Sequence, residues 1–259
     1  MNDPALLPEV IGPLLPEWTA LPSPIVPRLY SFWAGGPSPR PGVRRYDIVY
    51  RGGLELVRTL DRQTACDALA ADLRLYVAER SRRFVFVHSG VVSWRGRAIL
   101  FPGRSFSGKS RLVASLVRAG ATYHSDEYAP LDGLGRVYPF ALPLSLRDGD
   151  DVSRHSAEQL GGAASTEPVP VGLVVMSRFQ PGQRWRPQRL SAGNGLLALL
   201  DNTIPVRRQP KRTLQVLAKV VSRAPVLRSL RGEADEVVPD LLRLAEAPAG
   251  ACLEPREQT

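Results

Sequence analysis

One stretch restricts the fold more than any other. Gly103-Arg104-Ser105-Phe106-Ser107-Gly108-Lys109-Ser110 fits G-x-x-x-x-G-K-[ST] at every position. An apolar run, Ala98-Ile99-Leu100-Phe101, leads into it. Leu112, Val113, Leu116 and Val117 recur at helical spacing after it. The pattern predicts a strand, a tight loop and a helix, the setting in which a phosphate-binding loop occurs. Glycines at both ends let the backbone wind until several N–H groups point inward. The helix N-terminus adds its partial positive charge at the same place. Gly103, Ser105, Phe106, Ser107, Gly108, Lys109, Ser110 and Arg111 are therefore the expected nucleotide-binding residues. Lys109 is expected to reach the β- and γ-phosphates, and Ser110 to offer its hydroxyl to Mg²⁺. The chain has only three lysines, Lys109, Lys211 and Lys219, and uses arginine almost everywhere else. A lysine at this position thus suggests a specific requirement rather than a chance match.

A length of 259 residues and an apolar fraction of 44% allow one large domain or two small ones. No run of 18 apolar residues occurs, so no membrane span is expected. The first residues, Met1-Asn2-Asp3-Pro4, lack the basic and apolar regions of a secretory signal. Cys66 and Cys252 show no metal-binding spacing, and a reduced, cytoplasmic protein is the expectation. The net charge of +9 fits either an anionic partner or a coding bias toward arginine. The densest cluster, Arg207-Arg208-Gln209-Pro210-Lys211-Arg212, lacks interleaved aromatics for base stacking, which argues against a nucleic-acid partner.

Residues 1–42 carry ten prolines together with Leu6, Leu7, Ile11, Leu14, Leu15, Trp18 and Trp33. Proline at that density prevents a long helix or a central strand, and the apolar content is too high for a plain linker. The expectation is an arm over 1–42, a single domain over 43–248 and a tail over 249–259. Residues 43–50 and 54–60, split by Arg51-Gly52-Gly53, predict a hairpin. Asp61 predicts the N-cap of a helix running to Arg80. Residues 84–88 predict a strand. Residues 91–94 and 98–101 predict a second hairpin that feeds the glycine-rich stretch. Gly120 predicts the end of the helix that follows. Residues 149–168 are polar and are expected to form a loop, and residues 170–177 a buried strand. Helices are expected over 196–200, 213–221 and 234–244, with a strand over 226–230.

Phosphoryl transfer needs a carboxylate for the metal and a group that orients or deprotonates the acceptor. Ser125-Asp126-Glu127 follows one helix and one turn after Lys109. The chain there re-enters the sheet beside the strand that feeds the loop. Asp126 and Glu127 are thus the candidate acids and metal ligands, together with Ser110. On a continuous strand, adjacent acids would point to opposite faces. His88 ends the predicted strand 84–88, where α/β sheets place functional groups. It is a candidate catalytic residue, although a lone histidine is more often a structural one.

These residues resemble the catalytic domain of the HPr kinase/phosphorylase family. His88-Ser89-Gly90-Val91 resembles that family's His-Gly-Val segment with one residue inserted. Gly103 to Ser110 matches its phosphate-binding loop, and Ser125-Asp126-Glu127 resembles its acid pair. Ile204-Pro205-Val206-Arg207 and Lys211-Arg212-Thr213-Leu214 faintly resemble its late Pro-Val-Arg-Pro-Gly-Arg-Asn segment. The second acid here is Glu127 rather than Asp, the late segment lacks the Gly and Asn, and residues 1–42 do not resemble that family's N-terminal domain. The resemblance is therefore to the wider group of HPr-kinase-related proteins. It implies an α/β domain of some α+β character, with a mixed sheet akin to phosphoenolpyruvate carboxykinase. It also implies ATP and Mg²⁺ as cofactors, and transfer of phosphate to a serine of a protein or ribosomal peptide. The acid pair would bind the metal and act as the base, without a division of roles between Asp126 and Glu127. Three alternatives stand beside this: a small-molecule kinase of the same fold, a non-catalytic nucleotide-binding regulator, and a nucleic-acid-binding ATPase. The acceptor and any homo-oligomeric state are left open.

Overall fold

The computed structural model describes residues 1–6, 8, 10, 25–38, 40–103, 107–148 and 151–246. The chain divides into two units, Met1–Val77 and Ala78–Thr259.

In the first unit, β1 (Tyr30–Trp33), β2 (Asp47–Arg51) and β3 (Leu54–Thr59) form an antiparallel sheet in that order. Phe32 pairs with Val49 across β1 and β2, so residues before and after position 42 share one sheet. Strand pairing thus crosses the expected boundary between arm and domain at 42/43. The prolines permit this arrangement because β1, Tyr-Ser-Phe-Trp, falls between Pro27 and Pro37 and contains none, so its ladder keeps every donor. Helix α1 (Arg62–Arg80) starts as expected at Asp61, whose Oδ2 accepts from Thr64 N at 2.9 Å. Ala65, Cys66, Leu69 and Ala70 of α1 form a core with Phe32 and Val49. The division between the units falls within the last turn of α1.

The second unit begins with β4 (Val85–Trp94), β5 (Arg97–Pro102), α2 (Lys109–Arg118), β6 (Thr122–Ser125) and β7 (Tyr128–Leu131). It continues with β8 (Arg136–Val137), β9 (Leu144–Asp148), β10 (Asp151–His155), β11 (Val169–Phe179) and β12 (Gln188–Arg189). Helices α3 (Ala192–Leu200) and α4 (Pro210–Arg223), strand β13 (Val226–Arg231) and helix α5 (Ala234–Glu246) complete it. The fold is mixed α/β. The main sheet runs β12-β13-β11-β5-β4-β7-β8, with β6 also on β4. Strands β5, β11 and β13 are parallel, while β4 is antiparallel to β5, β6 and β7. Strand β11 also pairs with β8, so the β4, β7, β8, β11 and β5 pairings close into a ring.

The expected second hairpin is present. It turns at Arg95 (φ 48°) and Gly96 (φ 75°), and β4 is continuous through Ser89 and Gly90 rather than two strands. Two positive φ values in a two-residue turn match the right-handed twist of its strands. Period-two alternation sends Ile99 and Phe101 to one face and Ala98 and Leu100 to the other. On the first face Leu112, Val113, Leu116 and Val117 of α2 meet Val237 and Leu241 of α5. On the second face Leu199 of α3 and Val216, Leu217 and Val220 of α4 cover the sheet. Gly120, at φ 94°, follows α2 where its end was expected. The expected loop over 149–168 is corrected by β10, which pairs with β9 across Val152 and Arg147. Its side chains are largely exposed and only Val152 is apolar, so no apolar alternation announces it. Among the described residues no helix is long and apolar enough to cross a membrane.

Candidate functional site

The parallel strands β5, β11 and β13 end at Pro102, Phe179 and Arg231. Carboxyl ends of parallel strands are where open α/β sheets place ligand-binding groups, and here they bracket the glycine-rich stretch. Arg104, Ser105 and Phe106 lie outside the described residues, so the expected roles of Ser105 and Phe106 rest on the sequence. The residues around them are well tied. Gly103 N donates to the His88 carbonyl at 3.3 Å, and Phe179 N donates to the Ser107 carbonyl at 3.2 Å. A Cβ on Gly103 would approach Ser107 Oγ to 3.0 Å. Gly108 adopts φ 84° at the N-cap of α2, a conformation that favours glycine.

Lys109 opens α2 and is buried. Burial pushes its amine below the usual lysine range, while the charges of Asp126 and Glu127 pull it back up. Helix α2 can approach β4 because position 90 carries no side chain. A Cβ on Gly90 would sit 2.7 Å from Val113 Cγ2.

Asp126 and Glu127 are not on a strand. Strand β6 ends at Ser125, whose buried hydroxyl accepts from Glu127 N at 3.1 Å and Tyr128 N at 3.0 Å. The two acids form the junction between β6 and β7. Strand β4 pairs Val91 with Ser125 and His88 with Tyr128, which places the junction opposite Ser89 and Gly90. Ser89 N donates to the Glu127 carbonyl at 3.1 Å. The strict alternation expected of adjacent acids on a strand therefore does not apply.

Ser110 Oγ donates to Asp126 Oδ2 at 2.8 Å. Asp126 Oδ1 is buried without a hydrogen bond of normal geometry among the described residues, and so is Ser107 Oγ. Burial pushes the Asp126 carboxyl up to about 6, against the pull of Ser110 and Lys109. His88 is half-buried, and burial first, then the Lys109 charge, push its imidazole down to about 4. It is therefore neutral near pH 7. His88 N donates to the Asn202 carbonyl at 2.7 Å, which ties the start of the late segment to β4.

The expected site residues His88, Lys109, Ser110, Asp126 and Glu127 thus converge. Arg111, in the first turn of α2, donates from Nη2 to the Arg147 carbonyl at 2.8 Å. Arg231 was missed by the sequence reading. It is 1% exposed, and its Nη2 donates to the Gly108 carbonyl at 2.7 Å. Its guanidinium lies over the Phe179 ring, 5.7 Å from the centroid. The one signal was an arginine ending an apolar strand, which by residue type reads as exposed.

Among the described residues no three His, Cys, Asp or Glu side chains gather as a metal cluster. Two carboxylates and a hydroxyl are hard oxygen donors of the kind Mg²⁺ uses while keeping waters and phosphate oxygens. The buried, incompletely bonded Oδ1 of Asp126 and Oγ of Ser107 fit that pattern. Compared with models of known families and with curated proteins, the chain matches none.

Proposed function

We propose that the chain is a Mg²⁺-ATP-dependent kinase that transfers the γ-phosphoryl group to a serine hydroxyl of a protein or peptide. The observation that carries this is the 2.8 Å contact between Ser110 and Asp126. It joins the hydroxyl that follows the motif lysine to a carboxylate on the neighbouring strand junction. That pairing is the one a phosphoryl-transfer site uses to hold Mg²⁺.

Ser110 and one or both of Asp126 and Glu127 would hold the metal, which when bound neutralises charge on the phosphate oxygens. Lys109 would hold the β- and γ-phosphates, and the N–H groups at the start of α2 would add donors. The acid pair would accept the proton of the serine hydroxyl. An acid held near 6 is well matched to that task at neutral pH. His88, neutral and beside Lys109, would orient groups by hydrogen bonding without adding charge.

A macromolecular acceptor is favoured over a small molecule by the distribution of charge. Residues 168–232 hold twelve arginines and lysines and one acid, Asp201, which more than accounts for the net charge of +9. This segment borders the site through Phe179, Asn202 and Arg231. It fits a peptide with acidic residues flanking the serine.

The test is to incubate the protein with γ-labelled ATP, Mg²⁺ and a cell lysate, and to locate the label. Acid-stable label on serine supports the proposal. ATP binding without any transfer would leave a nucleotide-binding regulator as the better reading.

A further inference from the structure

Arg231 is a buried cation with no contact ion pair among the described residues, and the charge of Glu233 acts on it only from beyond contact distance. It is 1% exposed. No carboxylate lies within ion-pair distance of it among the described residues. It donates to two carbonyls, Gly232 O at 2.9 Å from Nη1 and Gly108 O at 2.7 Å from Nη2, and its buried Nε has no partner among the described residues. A buried guanidinium without a contact anion is unfavourable: removal from water pulls its pKa down here, and the Glu233 charge offsets only part of that. The cost falls beside Gly108, the last residue before the motif lysine. A Cβ on Gly108 would lie 2.6 Å from Arg231 Nη2, so only glycine lets the guanidinium approach this closely. Phe179 supports it from the next strand, and the Phe179 N–H holds the Ser107 carbonyl.

We infer that Arg231 is a positioning residue for polyphosphate: it clamps the Gly108 peptide at the mouth of α2, and its buried charge, which has no contact ion pair, is offset further when a nucleotide's phosphates bind there. The inference rests on the nucleotide-binding reading of the same site. With the Gly108 carbonyl held by Arg231, the following N–H groups keep a fixed direction. The guanidinium and Lys109 then supply two buried cations to one anion site. Lysine at 231 would keep the charge but not the planar fork that reaches both carbonyls.

The test measures binding of MgADP, AMP and adenosine to the full chain by calorimetry, for the unsubstituted protein and for Arg231→Lys, Arg231→Gln and Lys109→Ala. The expected result is a loss of tenfold or more in MgADP affinity for both Arg231 variants, with adenosine affinity unchanged. A purely structural arginine would lower the melting temperature of the unliganded protein and leave the MgADP affinity of the folded fraction unchanged. That result overturns the inference. If Lys109→Ala binds MgADP normally, the nucleotide reading itself fails and the inference with it. If Lys109→Ala loses binding and the Arg231 variants do not, only the role of Arg231 is wrong. Should both Arg231 variants fail to fold, the unsubstituted protein still decides. The buried Nε–H of Arg231 should give an NMR signal that moves with pyrophosphate and not with adenosine. A signal indifferent to pyrophosphate contradicts the role.

Discussion

Ser110 and Asp126, sixteen residues apart, are joined by a 2.8 Å hydrogen bond from the first turn of α2 to the junction of β6 and β7. The contact depends on two features that hold no ligand themselves. Gly90 lets α2 lie close to β4, and Ser125 turns the chain so that the acids leave the strand.

Asp126→Asn is expected to stabilise the protein while abolishing activity. The carboxyl is pushed up to about 6 in the fold, from an ordinary value of 3.8. A raised carboxyl penalises the folded state as pH rises from about 4 to about 6, and at pH 7 that penalty is about 3 kcal/mol. An amide removes it, less the charge-assisted part of the Ser110 bond, so a net gain of roughly 1–3 kcal/mol is expected at pH 7. Thermal unfolding without nucleotide measures this, and a lower melting temperature for the variant would count against a strained carboxylate.

Acid stability should depend on His124. It is fully buried, its Nε2 lies 2.9 Å from Ser93 Oγ, and burial holds its imidazole down at about 4. Above pH 6.5 it is neutral in both states and costs nothing. As pH falls from 6.5 to about 4, the unfolded chain takes up a proton that the fold refuses. Stability then drops by about 3 kcal/mol. His124→Asn should flatten that limb in denaturant titrations between pH 4 and 7. An unchanged slope would mean that His124 is protonated in the fold.

Gly90→Ala should cost about 1–3 kcal/mol, the usual range for overpacking, because the new methyl meets Val113 Cγ2 at 2.7 Å. Relief by moving α2 would also shift Lys109 and Ser110, so KM for ATP should rise. A variant with wild-type stability and KM would show that the helix has room to move.

The pH dependence of turnover should separate His88 from Asp126. With His88 at about 4 and Asp126 at about 6 before metal and nucleotide bind, an acidic limb near 6 in kcat/KM, which reports the free protein, belongs to the carboxylate. His88→Gln should lower kcat and leave that limb in place. Its disappearance in the variant would assign the titration to the imidazole.

The sequence displayed the centre of the fold well, because local signals agree there. Asp61 caps α1, Gly120 follows α2, and the β4–β5 hairpin and α2 flank the glycine-rich stretch as their periodicities require. Strand β1 was hidden by the prolines that flank it on both sides, and β10 by exposed, mostly polar residues without apolar alternation. Within the site, the separate candidates were visible as residue types, but their convergence depends on register. The pairing of Val91 with Ser125 and His88 with Tyr128 lifts Asp126 and Glu127 out of the ladder, and no local pattern reports such a gap. Arg231 was invisible because its burial is set by Phe179 and Gly108, 52 and 123 positions away in the chain.

The most direct measurement follows the γ-phosphoryl group in the unsubstituted protein, Lys109→Ala and Asp126→Asn, each given γ-labelled ATP, Mg²⁺ and the same lysate, with phosphopeptides mapped by mass spectrometry. The account predicts label on serine for the unsubstituted protein and a loss of at least about a hundredfold in each variant, the scale on which removal of a transition-state contact acts. Equal labelling by all three proteins, or no consumption of ATP by any of them, would contradict it.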